Sequence, residues 1–256
     1  MLKKLHFLTS MLSLAMLTAC SELQTISKQL NLPIPLTETE VSMGLKEALS
    51  IGTQNATGVL SATDGYWADA AVKILLPEEA QVITKNISRI PGGEALVDKV
   101  VLSINRAAED AAKEASPIFI DAVKTMTITD AMAILAGGNH AATDYFKSKT
   151  KDDLVKLYAS KISSSIEQKL IGDLSAQSSW DLLTGKWNQI AQSPIGTIAS
   201  LTPVQTNLSN YLTEKAIDGL FLKIAVEEEK IRTDPAAQVN NLLRRVFGKY
   251  KRHPFI

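Results

Sequence analysis

Apolar residues recur every three or four positions along most of the chain, which is the period of an amphipathic α-helix. After a capping-box spacing from Thr37 to Glu40, this period predicts a helix of about five turns. Its predicted buried face comprises Val41, Leu45, Ala48, Gly52, Ala56 and Val59. No run of alternating β-branched residues competes with the helical period. We therefore predict an all-α fold: a single multi-helix globular domain of about eight to ten helices.

Glycine, proline and capping residues divide the rest of the domain into further helices. Gly44, Gly52 and Gly58 lie inside the first helix, where we expect them to let neighbouring segments approach closely. The later helices are predicted from Pro77 to Pro91, from Gly93 to Ala115, from Pro117 to Met126, from Asp130 to Ala136 behind a Thr129 cap, from Ala141 to Phe146, onward from a cap at Thr150, from Ser175 to Ala191, and from Thr206 to Thr233. Residues 194–203 are predicted to form a loop, and the last helix restarts near Asp234-Pro235 and ends at Gly248.

The first residues have the pattern of an export signal. Lys3 and Lys4 precede an apolar run, 5–17, that is too short to span a hydrocarbon core of ~30 Å. The following Leu17-Thr18-Ala19-Cys20 resembles the lipobox of bacterial lipoproteins. That resemblance implies a signal peptide over 1–19, acyl chains such as palmitate on Cys20, and, because residue 21 is Ser rather than Asp, the periplasmic face of a Gram-negative outer membrane. The alternative is an ordinary secretory signal followed by an unmodified cysteine.

These observations divide the chain into four parts. The signal peptide is followed by a lipidated N-terminus and flexible tether, 20–36, which is polar and contains two prolines. The helical domain is predicted over 37–248, and a basic tail occupies 249–256. Basic and aromatic residues in this tail suit either a solvated terminus or contact with anionic headgroups.

Charge and residue counts narrow the function classes. The chain has 27 basic and 27 acidic residues, so removing Lys3 and Lys4 leaves 25 basic residues and a formal charge of −2. This balance argues against nucleic acid as a partner, since such binding needs clustered Lys and Arg. One cysteine permits no disulfide, and two histidines after the signal, His140 and His253, lie far apart in the sequence. We predict no metal site and no cofactor.

The densest polar group in the sequence is Glu227-Glu228-Glu229 with Arg232 and Asp234. Crowded carboxylates can raise one pKa and support general acid catalysis, which is one interpretation. The other is helix-surface pairing at i,i+4, Lys223 with Glu227 and Glu228 with Arg232, as also expected of Arg106 with Asp110. The catalytic hypothesis requires these groups to converge in one cleft, and its candidate residues are Asp64, Tyr66, Arg106, Glu228, Arg232 and Asp234.

Several sequence blocks together resemble a family of bacterial lipoproteins and secreted proteins known as domain of unknown function 4197. The blocks are Gly44 to Leu49, Asp64-Gly65-Tyr66, Asn105 to Glu109, Ala141 to Phe146, Glu227 to Pro235, and Val246-Phe247-Gly248. The resemblance covers roughly 41–248 and implies one domain, with no activity attached to it.

The sequence favours a tethered binding or scaffold module over an enzyme. The anchor is joined to a domain without a recognisable catalytic set, so the expected partners are the membrane and an envelope protein. A carrier of lipid or another apolar ligand is a second hypothesis, because broad apolar stripes with small residues can leave a cavity. A hydrolase using the acidic cluster around Glu228 is the third.

Overall fold

The computed structural model describes residues 36–90, 92–169, 173 and 175–250, which form helices and connecting segments and contain no strand. The described residues from Glu38 onward belong to one compact unit. The α-helices are α1 (Glu38–Ser61), α2 (Gln81–Lys85), α3 (Gly93–Ala112), α4 (Ser116–Thr125), α5 (Ile128–Ala136), α6 (Ala141–Glu167), α7 (Ala176–Ala191), α8 (Pro194–Ile198), α9 (Leu208–Thr233) and α10 (Asn241–Tyr250). The predicted all-α class is thus confirmed. The predicted signal peptide, Cys20, nearly all of the predicted tether and residues 251–256 lie outside the described residues.

Helix α3 lies at the centre of the fold and packs against α1, α6, α7 and α9. Over its second half this helix is buried on most sides. Its second half is rich in alanine, whose small side chain lets several helices approach at once. The buried residues of this half are Ser103, Ile104, Asn105, Ala107, Ala108, Glu109, Ala111 and Ala112.

Helix α9 packs along α6 and α1, and three phenylalanine rings join α4, α6 and α9. Phe119 contacts Phe146 and Phe221 edge-to-face, with ring centroids 5.3 and 6.0 Å apart. Such pairs contribute about 0.5–1.5 kcal/mol beyond the apolar area that they bury. Among the described residues, no helix is both long enough and apolar enough to cross a membrane.

Two predicted N-caps, Thr129 and Thr150, are wrong. Helix α5 is capped by Thr127 rather than Thr129: the Thr127 hydroxyl accepts from the Asp130 amide, and the Asp130 carboxylate accepts from the Thr127 amide. Thr150 caps nothing, since α6 runs unbroken through it. Its buried hydroxyl donates to the Phe146 carbonyl at 2.8 Å, which satisfies that hydroxyl within the helix.

Three boundaries also differ from the prediction. The segment behind Pro77 is divided into α2 and two 3-10 turns, Glu78–Ala80 and Ile87–Arg89. The predicted loop over 194–203 contains α8, which Ser193 caps by accepting from the Gly196 amide. Helix α10 continues through Gly248 to Tyr250, because a glycine lowers helix stability by only about 1 kcal/mol.

The predicted face of α1 is right except at its last position. Val59 is 54% exposed, and Leu60 is buried in its place. A β-carbon added at Gly44 would lie 2.9 Å from Val246 Cγ2, so this glycine allows α10 to approach α1. A β-carbon at Gly58 would meet no atom within 4 Å, so the expected close approach is wrong there.

These two glycines provide a matched test of helix packing. Gly58→Ala is expected to stabilise the protein by up to about 1 kcal/mol, since alanine favours the helix and meets no neighbour. Gly44→Ala gains the same propensity but forces Val246 to move, so its unfolding free energy should fall well below that of Gly58→Ala. Urea denaturation measures both variants, and equal stabilisation would contradict the close packing of α10 on α1.

Candidate functional site

The six predicted polar residues form two separate groups and one cap. Glu228 and Arg232, here called the buried pair, lie on α9. Asp64 and Arg106 belong to a second group, the loop cluster, with Tyr66, Asn105 and Glu109. Asp234 accepts from the Ala236 amide and so caps the 3-10 turn Pro235–Ala237. The two groups have no hydrogen bond or ion pair in common.

The Glu228 carboxylate closes the N-terminus of α6. Its Oε1 accepts from the Ala142 amide at 2.9 Å, and its Oε2 accepts from the Thr143 amide at 2.8 Å and the Thr143 hydroxyl at 2.9 Å. The first amides of a helix have no partner within it and carry partial positive charge. A carboxylate from a neighbouring helix therefore supplies both the missing acceptors and the opposite charge.

Arg232 links this carboxylate to α5, the helix that precedes α6. Its Nε and Nη2 donate to Glu228 Oε1 at 2.9 and 2.8 Å, and Nη2 also donates to the Ile134 carbonyl at 2.9 Å. Ile134 lies in the last turn of α5, where the carbonyls carry partial negative charge. The predicted i,i+4 pair is present, but the side chains are only 5% and 13% exposed, so its interpretation as a helix-surface pair is wrong.

The neighbouring charges are paired differently from the prediction. Lys223 pairs with Asp69 rather than with Glu227, and so connects α9 to the segment after α1. Glu227 accepts from Lys230 at 2.6 Å and from the Asn55 amide group at 3.2 Å. The three consecutive glutamates thus face different surroundings and do not form one carboxylate cluster.

In the loop cluster, the buried Glu109 carboxylate binds the turn that follows α1. Its Oε1 accepts from the amides of Tyr66 and Trp67 at 3.2 and 3.3 Å. Arg106 donates to Glu109 Oε2 and to Asp64 Oδ1, both at 2.6 Å. Burial lowers the pKa of Arg106, but the bonds to the two carboxylates outweigh this and raise it.

Asn105 binds the extended backbone that follows this turn. Its Oδ1 accepts from the Ile74 amide at 2.9 Å, and its Nδ2 donates to the Ile74 carbonyl at 2.8 Å and to the Val101 carbonyl at 2.7 Å. The side-chain amide therefore satisfies a buried peptide group in the way a neighbouring strand would.

Tyr66 links the turn to α9. Its hydroxyl donates to the Ala216 carbonyl at 2.7 Å, and its burial raises its pKa well above the ordinary value. The ring needs Gly219, where an added β-carbon would lie 2.9 Å from Tyr66 Cε1. Gly65 is equally constrained, because its β-carbon would lie 2.2 Å from the Val59 carbonyl oxygen. The Asp64-Gly65-Tyr66 block thus has a packing role.

Arg106 does not pair with Asp110 as predicted. Asp110 instead accepts from the Ser165 hydroxyl at 2.6 Å and from Lys113 at 2.9 Å, which connects α3 to α6. The bond from Ser165, followed by that from Lys113, lowers the pKa of Asp110 below its usual 3.8.

Three residues with central roles were missed as site candidates: Asn105, Glu109 and Thr143. Asn105 and Glu109 carry a weak signal that could have identified them, since they lie on the face of the helix that also carries its alanines and isoleucine. In the described part of the chain, no three His, Cys, Asp or Glu side chains come together in a way that could hold a metal ion.

Away from both groups, three adjoining clefts follow the first turns of α9. Their volumes are about 580, 370 and 310 Å³. Asn210 and Glu214 line the first two, Tyr211 lines the first and third, and Asp218 lines the second and third. We call these three clefts together, joined by these four residues, the α9 groove.

The buried pair should dominate the stability of this region. Glu228→Gln removes the charge that faces Arg232 and the first amides of α6, and leaves a buried guanidinium without its counter-ion. Such a change typically lowers the unfolding free energy by about 3–5 kcal/mol, which chemical denaturation measures.

Glu229→Gln is the matched control, because Glu229 is the exposed neighbour in the same run and its loss should change stability by less than about 0.5 kcal/mol. A double variant with Arg232→Met should lose less than the sum of the single losses, since no lone charge stays buried. Similar stabilities of the Glu228 and Glu229 variants would contradict the role of the pair.

Asp110 gives a test by pH. Because its pKa is lowered on folding, its charged form stabilises the fold above the usual 3.8, and that contribution is lost as the pH falls through the lower folded value. The difference in melting temperature between the wild type and Asp110→Asn should therefore be larger near pH ~7 than near pH ~3. Asp98→Asn, an exposed carboxylate on the same helix, controls for loss of one charge. A difference that is constant with pH would contradict the assignment.

Comparison with known proteins places this fold in a family. The model of the family described as Protein of unknown function (DUF4197) matches residues 35–248, which is most of the chain and includes both polar groups. No curated protein and no solved structure matches the chain. The chain therefore belongs to the DUF4197 family, as its sequence blocks predicted.

Proposed function

We propose that this protein is a binding module, anchored by lipid on Cys20 to the periplasmic face of the outer membrane, whose partner occupies the α9 groove. The observation that carries the proposal is that the polar residues fall into two sets, one that holds the fold together and one that is exposed. Polar residues of the family's sequence blocks bind backbone groups inside the fold, whereas Asn210, Glu214 and Asp218 are exposed along the α9 groove.

The three clefts of the groove differ in charge. The described residues that line the first include the carboxylates of Glu79 and Glu214, which only accept when ionised, and the amide groups of Gln205 and Asn210, but no Lys or Arg. The second and third clefts also contain lysines: Lys151 lines the second, and Lys73 and Lys215 line the third. A partner with amine, amide or hydroxyl donors therefore suits the first cleft better than an anion.

The anchor is proposed from the sequence. The lone cysteine follows a short apolar segment and small residues, and Ser21 follows the cysteine. Two or more acyl chains would hold the protein stably at a bilayer.

The alternatives have less support. The void beside the buried pair has a volume of about 10 Å³, roughly that of one water probe and far too small for an acyl chain. A hydrolase using Glu228 lacks a free carboxylate there, because Oε1 accepts from the Ala142 amide and from Arg232, and Oε2 accepts from the amide and hydroxyl of Thr143.

A photo-crosslinking residue at position 210 tests the groove in living cells. Asn210→p-benzoylphenylalanine in the full chain should yield one discrete adduct, because position 210 lies where two of the clefts meet. The adduct should disappear when Glu214→Lys and Asp218→Lys reverse the charge of the groove, and it should persist with Asp98→Lys on α3.

The same crosslinker at Val59, which is 54% exposed on α1, is the positional control. An identical adduct at both positions, or none at 210, would contradict a partner in the groove. The anchor is tested separately in these cells: the unchanged chain should incorporate labelled palmitate and the Cys20→Ser chain should not. Failure of incorporation would remove the anchor and leave the groove test intact.

A further inference from the structure

The two most exposed large apolar side chains of the described residues lie together on α8. Ile195 and Ile198 are 75% and 85% exposed, although each belongs to a structured segment. Their spacing of three residues places them on neighbouring positions of the short helix. We call this helix and its flanking residues, 192–203, the α8 tip.

The backbone of the tip is held firmly, so the exposure of its isoleucines is a property of the fold. Asn188 on α7 accepts from the Val204 amide at 2.8 Å and donates to the Val204 carbonyl at 3.0 Å. The Trp187 indole donates to the Thr202 carbonyl at 3.0 Å. Gly196 packs so closely on the end of α7 that an added β-carbon would lie 2.2 Å from the Ile190 carbonyl oxygen.

The tip lies within the longest uncharged run of the chain. No Asp, Glu, Lys or Arg occurs over residues 187–213, between Lys186 and Glu214, although charged residues make up 21% of the sequence. A charged group at the base of the tip is Glu79, which accepts from the Thr206 hydroxyl. The exposed polar side chains of the tip itself are neutral, as in Gln192, Thr197 and Thr202.

Such a surface suits a lipid bilayer better than a protein partner. Entry into the interfacial region removes water, which neutral side chains tolerate and charged ones resist. Protein interfaces derive most of their affinity from Trp, Tyr and Arg, and residues 188–210 contain none of these. Exposed isoleucines on a rigid, neutral segment match the apolar side of an interfacial anchor.

We propose that the α8 tip inserts Ile195 and Ile198 into the interfacial region of a lipid bilayer. The affinity of the tip for a bilayer is argued from the described residues alone. Its role in the cell rests on the proposed lipid anchor. A tether makes a second membrane contact intramolecular, so even a weak tip would be occupied at the high effective concentration that the tether imposes. Two attachments would then restrict how the domain is turned relative to the membrane.

A single fluorescent label tests the insertion. The chain from residue 20 onward contains the whole compact unit from Glu38, and with Cys20→Ser it has no cysteine. Ile198→Cys then carries one nitrobenzoxadiazole label, and an N-terminal histidine tag binds the chain to phosphatidylcholine–phosphatidylglycerol vesicles containing a nickel-chelating lipid. Emission at position 198 should rise, move to shorter wavelength and be quenched by nitroxide-labelled acyl chains.

Ile195→Ser in the labelled chain should reduce the ratio of inserted to free tip about tenfold, given the apolar area removed. Leu182→Cys is the matched position: it is 42% exposed on α7, about 14 Å from the end of this helix by its rise per residue, and beside charged Asp181. An unchanged emission at 198, or the same change at both positions, would overturn the proposal. Because the tag replaces the lipid, the result does not depend on whether Cys20 is acylated or the groove is occupied.

Discussion

The carboxylate of Glu228 at the N-terminus of α6 is the interaction on which the rest of the structure depends. It joins α9 to α6. Arg232, which binds the same carboxylate, also donates to the Ile134 carbonyl and so joins α9 to the end of α5. Without this carboxylate the Ala142 and Thr143 amides at the start of α6 would be buried without an acceptor. At the end of α5 the Ile134 carbonyl already accepts from the Gly137 amide, and the Arg232 guanidinium is its second donor.

The loop cluster solves the same problem for a segment without regular structure. Residues 62–76 pass over α3 with their backbone groups partly buried, and side chains of α3 supply the missing partners. Asn105 pairs with Ile74, and Glu109 accepts from Tyr66 and Trp67. Polar residues in the interior of both helices therefore belong to the folding of their neighbours, which explains why they stand out in the sequence without forming a catalytic group.

The helical period predicted the fold class and most of the long helices, because apolar spacing reports which face a helix buries. It failed where a side chain's partner lies in a distant segment. The position of Glu228 was nonetheless readable: it falls between Ile224 and Ile231 on the buried stripe of α9, so a buried carboxylate could have been expected there. The partners of Glu109 and Lys223 could not be predicted from the sequence, since they lie in the segment that follows α1. The segment behind Pro77 breaks at Asn86, whose side-chain amide donates to the Val82 carbonyl at 2.9 Å, a local bond that the apolar period does not report.

The sequence blocks that identify the family coincide largely with these structural contacts. Asp64-Gly65-Tyr66, Asn105 to Glu109 and Glu227 to Pro235 each contain a residue that binds the backbone of another segment. These blocks therefore report how the chain folds. The α9 groove and the α8 tip lie outside those blocks. Within the groove, Tyr211 donates to the Leu75 carbonyl at 2.9 Å, whereas Glu214 and Asp218 are exposed. Function is best sought at such surfaces, where a substitution can change binding without first unfolding the domain.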